Sequence, residues 1–302
     1  MYGGVGNQLY QYTFSKYIEE KYKKKLYYFD SSKSYKVDNL IGSKVFHGID
    51  LKKIFDFNIS YIDPKNIRFP LNSFIFSILL RLSLFIHNRE GFGLSSIIVH
   101  DKNLKLCDLE KKIESNSFLI FHGYWQQIFA EYKALNYVNN FKFRKYLKIP
   151  NKLATYYQHK SIGMHVRKGD FINTKKGRKT HGIVSIQYFL KSISLLRSKV
   201  GDLKIIIFTD DKEWFEKNLK DQIKNFVLFD EKYRTYANDF YLMSKCDHFI
   251  ISNSTFSWWA AYIARLKNNK SIVVMPTHFN ASLIEDFRIP YKENYFLVKS
   301  IQ

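Results

Sequence analysis

An apolar run ending in a histidine, two cations and a carboxylate stands at Ile162-Gly163-Met164-His165-Val166-Arg167-Lys168-Gly169-Asp170-Phe171. Such a run reads as a buried strand that delivers charged groups into a cleft. In a parallel sheet the chemistry collects at the loops leaving the strand ends. Arg167 and Lys168 have the charge to bind an anionic group, while His165 and Asp170 can hold or move a proton. The competing reading is a surface loop whose charges are merely solvated, and four further clusters bear on the choice.

Gly3-Gly4-Val5-Gly6-Asn7-Gln8 precedes a helical pattern, so backbone amides there can approach an anion at a helix N-terminus. The third glycine of the dinucleotide fingerprint is missing and no Gly-Lys-Ser/Thr follows, which leaves out a dinucleotide loop and a P-loop. Phe208-Thr209-Asp210-Asp211 closes an apolar strand, with carboxylates placed to hold ribose hydroxyls or to cap the helix beginning at Lys212. Ser252-Asn253-Ser254-Thr255-Phe256-Ser257-Trp258-Trp259 joins a strand to a helix. Its amides and hydroxyls suit a diphosphate, and its tryptophans suit packing against a sheet. Gly123-Tyr124-Trp125-Gln126 follows another strand and is a candidate acceptor-binding segment, with core packing the default for both rings. No two aspartates stand at i and i+2, so the Asp-x-Asp pair that commonly holds a divalent cation is absent. Charge on a leaving diphosphate then falls to Arg167 and Lys168.

The elements positioning these clusters change character along the chain. A helical pattern runs from Asn7 to Lys25, then strands are expected at Leu26–Phe29 and Phe118–Phe121. From Ser161 onward strands and helices alternate. Strands are expected at Ser161–Val166, Leu203–Thr209, Phe226–Phe229, His248–Ile251 and Ser271–Met275. Helices are expected from Ser185 to Lys199, from Lys212, around Asn238–Lys245 and at Phe256–Leu266. That alternation predicts a parallel sheet of Rossmann type. Ile149-Pro150-Asn151 marks the seam, giving domains 1–150 and 151–302.

The 302 residues are 46% apolar and 25% charged, which fits a folded chain with room for two cores. The formal charge of +21 attracts nucleotide phosphates, anionic lipid and nucleic acid. Its spread, in clusters such as Lys21–Lys25 and Lys175–Lys179, favours a phosphate-bearing substrate first, a membrane surface second and nucleic acid last. Two cysteines without Cys-x-x-Cys spacing argue against a disulfide framework or structural zinc and fit a reducing compartment. Met1-Tyr2-Gly3-Gly4 lacks the marks of a secretory signal. Leu71–Ile86 is too short and too polar to span a bilayer and reads as a buried or interfacial helix. The expected location is the cytoplasm, with a peripheral contact at the inner face of the membrane left open.

Taken in order, Gly-Gly-Val-Gly-Asn-Gln, Gly-Tyr-Trp-Gln, His-Val-Arg-Lys-Gly-Asp, Thr-Asp-Asp and Asn-Ser-Thr-Phe-Ser-Trp-Trp resemble glycosyltransferase family 11, the α-1,2-fucosyltransferases. The resemblance runs from Gly3 to about Pro276. It implies a GT-B-like α/β fold of two Rossmann-type domains with the donor site in the second. It also implies GDP-β-L-fucose as donor, inversion at the anomeric carbon, no metal or other cofactor, and a glycan or lipid-linked oligosaccharide as acceptor. Carried over, Arg167 binds the β-phosphate and His165 helps form the nucleotide site. Asn253, Ser254 and Thr255 hold the diphosphate, Asp210 or Asp211 the nucleoside side, and the turn with Gly4, Gly6, Asn7 and Gln8 faces the donor. Asp170 is the expected general base with His181 behind it, and Tyr124, Trp125, Gln126 and His181 are expected on the acceptor side. Lys168 stands where the family has a second arginine, which keeps the charge and loses the bidentate fork. The family places a strand before the glycine turn, where this sequence has Met1 and Tyr2, and a Trp where Thr277-His278-Phe279 stands. The rival readings are a related transferase using another nucleotide sugar and a non-catalytic basic module for membrane or nucleic acid.

Overall fold

The computed structural model describes residues 1, 3–29, 51–62, 98–101, 105–116, 119–126, 135–168, 184–229, 234–278 and 294–300. Asp170, His181, the Leu71–Ile86 stretch and the Lys175–Lys179 cluster lie outside the described residues. The chain divides into two compact units, Met1–Lys52 with Phe57–Asn140 and Lys53–Asp56 with Phe141–Gln302.

The first unit is built on helix α1 (Val5–Tyr22). Gly4 is its N-cap and Lys23, at φ 53°, ends it in the left-handed region. The helix therefore starts earlier and stops sooner than its apolar pattern suggests, and Gly6 lies inside the first turn. Leu9, Tyr10, Phe14 and Ile18 are buried together with Gln8 and Thr13, so α1 is a core helix with little amphipathic contrast. Strand β1 (Tyr28–Phe29) pairs in parallel with β2 (Tyr61–Ile62). Strand β3 (Ile98–His100) pairs in parallel with β4 (Ile120–His122). Helix α2 (Leu106–Ser115) links the second pair and buries Leu109 and Ile113, spaced one turn apart on one face. Neither β3 nor α2 is foreseen by the sequence reading.

The second unit holds a six-stranded parallel sheet of β5 (Ser161–Val166), β6 (Lys204–Thr209), β7 (Phe226–Leu228), β8 (His248–Ile250), β9 (Val273–Pro276) and β10 (Tyr295–Val298). The spatial order is β10-β9-β8-β5-β6-β7, every pairing parallel. Counted from β5 this is 3-2-1-4-5-6, the order of a doubly wound sheet. Helices α3 (Ile186–Val200), α4 (Lys212–Asn218), α5 (Tyr236–Met243) and α6 (Thr255–Lys267) fall between the strands. β5 and β6 are near-continuous apolar runs because both faces of the sheet are covered. Ile162, Met164, Val166, Ile205 and Ile207 join Tyr188, Phe189, Leu196 and Phe215 in one core. The Tyr188 hydroxyl reaches from α3 to the carbonyl oxygens of Ile251 at 2.5 Å and Val274 at 3.2 Å, tying the helix to two strands.

In the second unit β10 is a strand that the sequence reading does not foresee. It is recruited by pairing with β9 and by cation–π contacts, Lys199 over Phe296 at 4.4 Å and Arg265 over Tyr295 at 5.3 Å.

The parallel order brings the carboxyl ends of β5, β6 and β8 to one edge. The topological switch lies between β5 and β8, the place where open α/β sheets bind ligands.

Candidate active site at the carboxyl edge of the second unit

Alternation along β5 sends Ile162, Met164 and Val166 into the core, leaving Gly163 and His165 on the opposite face. A Cβ on Gly163 would stand 3.1 Å from Cys246 Sγ, so the strand is tightly covered there. His165 is buried; its Nδ1 hydrogen-bonds Ser252 Oγ at 2.8 Å and its ring stacks on Phe256 of α6 at 5.4 Å. Burial, with Arg167 and Arg234 adding like charge, pushes its pKa down to about 3. His165 is thus a neutral imidazole at pH 7, suited to hydrogen bonding and not to carrying a proton.

This has a consequence for acid stability. Below its ordinary value of 6.5 the unfolded chain protonates His165 while the folded chain does not. The stabilisation is complete above that pH and is lost as pH falls toward about 3. Denaturant melts across this window should show a shallower acid loss in His165→Asn than in the parent. Parallel slopes for the two proteins would contradict the assignment.

Arg167 and Lys168 leave β5 in opposite directions. Arg167 Nε pairs with Asp210 Oδ2 at 3.2 Å, and the guanidinium is partly open to solvent. The Lys168 amide donates to Asp210 Oδ1 at 2.8 Å, so one carboxylate from the end of β6 clamps both residues. The Lys168 side chain is 1% exposed. Its Nζ donates to the Val184 carbonyl oxygen at 2.5 Å and lies 4.0 Å from the Trp214 ring centre and 5.8 Å from that of Phe189. Burial lowers its pKa to about 8 against the opposing pull of Asp210. The ammonium expected to meet a phosphate is instead sunk in an aromatic cage, where it braces the segment carrying Arg167.

The two aspartates after β6 also divide their work. Asp211 is the N-cap of α4, accepting from the Trp214 amide at 2.9 Å. Asp211→Ala should lower stability by about 1 kcal/mol, the usual worth of such a cap, and leave kcat/KM unchanged. A large activity loss at unchanged stability would reassign the residue.

Arg234 and Asp239 are not singled out by the sequence reading, which places them in a loop and at the start of a helix. Thr235 caps α5 through the Asn238 amide at 3.1 Å, which starts the helix at Tyr236. Arg234 then reaches Asp239 Oδ2 through Nη2 at 2.9 Å and Nε at 3.3 Å, and its Nη2 also donates to the Thr209 carbonyl oxygen. The other oxygen, Asp239 Oδ1, is buried with no hydrogen-bond partner, and burial raises the carboxyl pKa against the pull of Arg234. A carboxylate oxygen left in that state has the capacity for a donor supplied by a ligand. The only local signal was a Thr four residues before an Asp.

The turn after β8 is buried at Ser252 and Asn253. Ser254 is the N-cap of α6 yet makes no side-chain cap, while its carbonyl accepts from Ser257 Oγ and the Trp258 amide, each at 3.1 Å. The Ser254 hydroxyl is therefore not spent on the helix, and Thr255 occupies the first helical position. Trp258 and Trp259 are fully buried, Trp258 stacking on Tyr262 at 4.8 Å, so both serve as packing.

In the first unit the glycine turn and the Tyr-Trp-Gln segment meet, although the sequence reading assigns them to different ligands. Gly3 sits at φ 81°, and the buried Gln8 holds its carbonyl oxygen through Nε2 at 2.8 Å. Asn7 accepts from Gln126 Nε2 at 2.8 Å and is hydrogen-bonded to the Tyr124 hydroxyl. Asp101, absent from the sequence reading, fixes the segment by accepting from the Tyr124 and Trp125 amides at 2.6 Å and 2.9 Å. Trp125 is 2% exposed and stacks on Phe14 at 4.1 Å, so its ring is core and not an open sugar platform.

Among the described residues no group of three or more His, Cys, Asp or Glu converges as for a metal, and no helix is long and apolar enough to cross a membrane.

The O-antigen biosynthesis glycosyltransferase WbnK of Escherichia coli is 27% identical over 292 residues, 91% of each chain. An alpha-1,2-colitosyltransferase of Escherichia coli is 36% identical over 121 residues, 39% of this chain and 40% of that protein. The galactoside alpha-(1,2)-fucosyltransferase 1 of Sus scrofa is 30% identical over 105 residues, 34% of this chain and 28% of the relative. Among solved structures, POFUT1 in complex with GDP-fucose aligns with a TM-score of 0.32 at 12% identity, over 66% of this chain and 59% of that one. A family profile described as Glycosyl transferase family 11 matches residues 98–298, which include β5 to β10 and every site residue of the second unit described above. The chain belongs to glycosyltransferase family 11.

Proposed function

We propose that this glycosyltransferase moves L-fucose from GDP-β-L-fucose, with inversion and without a metal ion, to a glycan hydroxyl, O2 of a terminal β-galactose, during surface-polysaccharide synthesis. In this reading the fold is GT-B-like, with the donor held by the Rossmann-type second unit and the acceptor by the first. The observation that carries it is the Arg167 guanidinium held by Asp210 beside a neutral His165 at the switch point of a family 11 chain.

The chemistry follows from those groups. The acceptor oxygen attacks the anomeric carbon from the face opposite GDP, and the bond from that carbon to the β-phosphate oxygen breaks. Arg167 stabilises the charge growing on the departing phosphate, the kind of preset electrostatic help that dominates many enzymes. The Ser254 hydroxyl and the first amides of α6 take the remaining diphosphate oxygens, with Asn253 and Thr255 beside them. In this reading the nucleoside side is held by Asp210, whose oxygens each carry one protein contact, with Asp239 Oδ1 as a further acceptor for the N–H edge of guanine. Asp170, with His181 behind it, takes the acceptor proton in this scheme.

The stretch 36% identical to a colitosyltransferase favours a second reading, in which the same site uses a colitosyl donor. Incubation in EDTA with a β-galactoside and either donor separates the two. Fucosyl product with a new α-1,2 linkage supports the first reading, and product from the colitosyl donor alone supports the second. No product with either donor, together with salt-sensitive lipid or RNA binding that GDP does not affect, would leave a non-catalytic basic module.

A further inference from the structure

The second unit gathers cations and tyrosines on one face that the site does not use. The segment Phe141–Lys148 reads Phe-Lys-Phe-Arg-Lys-Tyr-Leu-Lys. Phe141 and Leu147 are buried and anchor it, while Lys142, Lys145, Tyr146 and Lys148 are exposed. Tyr146 is 63% exposed, and its hydroxyl bonds the Lys53 carbonyl oxygen. The Lys53 ammonium lies 5.3 Å from the ring centre of Tyr236, itself 38% exposed. Next to them Phe143 receives two ammoniums, Lys245 at 5.8 Å and Lys267 at 5.5 Å, and Lys245 also lies over Tyr241 at 4.9 Å.

Among the described residues no carboxylate pairs with Lys145, Lys245 or Lys267, and neighbouring Asp56 is taken by Arg144 at 2.9 Å. Burial lowers the Lys245 pKa, and Lys267 across the same ring adds a like-charge repulsion. An anion laid against the pair relieves it. Tyrosine rings with a polar tip and lysine stems that cover aromatic surface while presenting ammonium are the side chains that settle at a phospholipid headgroup layer. With a chain charge of +21, such a face is complementary to an anionic leaflet.

We propose that this face docks the second unit peripherally on an anionic phospholipid surface, with Tyr146 and Tyr236 at headgroup level and Lys145, Lys245 and Lys267 on lipid phosphates. The proposal stands apart from the transfer reaction, since its test reads binding and not turnover. Lysine stems lying along tyrosine and phenylalanine rings suit a headgroup layer, and RNA, whose bases could stack on the same rings, is an outcome of the test.

The experiment is co-sedimentation of the full chain with phosphatidylcholine vesicles, with and without phosphatidylglycerol. Binding is expected only with the anionic lipid. Lys245→Gln/Lys267→Gln should weaken partitioning by roughly fivefold per lysine, about 25-fold for the pair. The same charge loss on exposed lysines of another segment, Lys217→Gln/Lys220→Gln, should change it far less. Tyr146→Ser should also weaken binding with no change in net charge, and it decides the matter if the double lysine variant melts early. Equal losses in both double variants would show a diffuse charge effect and overturn the face. So would absence of vesicle binding, or displacement from vesicles by an RNA homopolymer that binds more tightly.

Discussion

Arg167→Ala is expected to lower kcat/KM by about two to three orders of magnitude, the loss seen when one preset donor to a developing charge is removed. The fold should hardly register the change. The Arg167–Asp210 pair is partly exposed on both sides, and such pairs contribute only ~0–1 kcal/mol. Asp210 also keeps its bond from the Lys168 amide, so the end of β5 stays in place. The melting temperature should move by no more than about 3 °C. Arg167→Lys provides the finer comparison, retaining charge and losing the planar fork, so its activity should fall between the other two. Near-normal turnover in Arg167→Ala would remove the phosphate assignment.

The second large effect is on stability and lies in the first unit. A Cβ on Gly123 would stand 2.6 Å from Asp101 Oδ1 and 2.7 Å from Asp101 Cβ. The Asp101 Cβ cannot rotate away, so the turn or the end of β3 must shift. Either movement breaks the paired bonds from the Tyr124 and Trp125 amides, each a charge-assisted bond worth ~1.5–3 kcal/mol. It also disturbs Trp125, which sits at φ 62° and is held there by its stacking on Phe14. Gly123→Ala should therefore destabilise by about 4 kcal/mol or more, counting the forced overpacking as well. Chemical denaturation checks this directly. A loss below about 1 kcal/mol would mean that the turn accommodates a methyl group and that Asp101 is not its clamp.

How legible these features were depends on how local their causes are. Strands β5, β6 and β8 were readable because strands covered on both faces become unbroken apolar runs. Asp211 as a cap was readable for the same reason, since a cap and its helix are sequence neighbours. β10 was not, because its stability comes from β9 and from Lys199 and Arg265, residues remote in sequence or on a helix far upstream. Lys168 illustrates the limit most clearly. A lysine between Arg167 and Gly169 reads as a second phosphate-binding cation, and only the fold brings Trp214 and the Val184 carbonyl around it. Arg234 and Asp239 were missed likewise, because the bond to Thr209 that fixes their position spans 25 residues. Asn7 and Gln126, 119 residues apart, were both noted, yet their joining could not be read from either motif.

We propose that the carboxyl edge of β5, β6 and β8 binds a guanine nucleotide through arginine and without a metal. Calorimetric titration with GDP, UDP and ADP in EDTA tests it most directly. GDP is expected to bind and the other two to bind far more weakly, with Arg167→Ala abolishing the heat and Asp239→Asn erasing the preference for guanine. Equal binding of all three nucleotides, or GDP binding that appears only on adding a divalent cation, would contradict it.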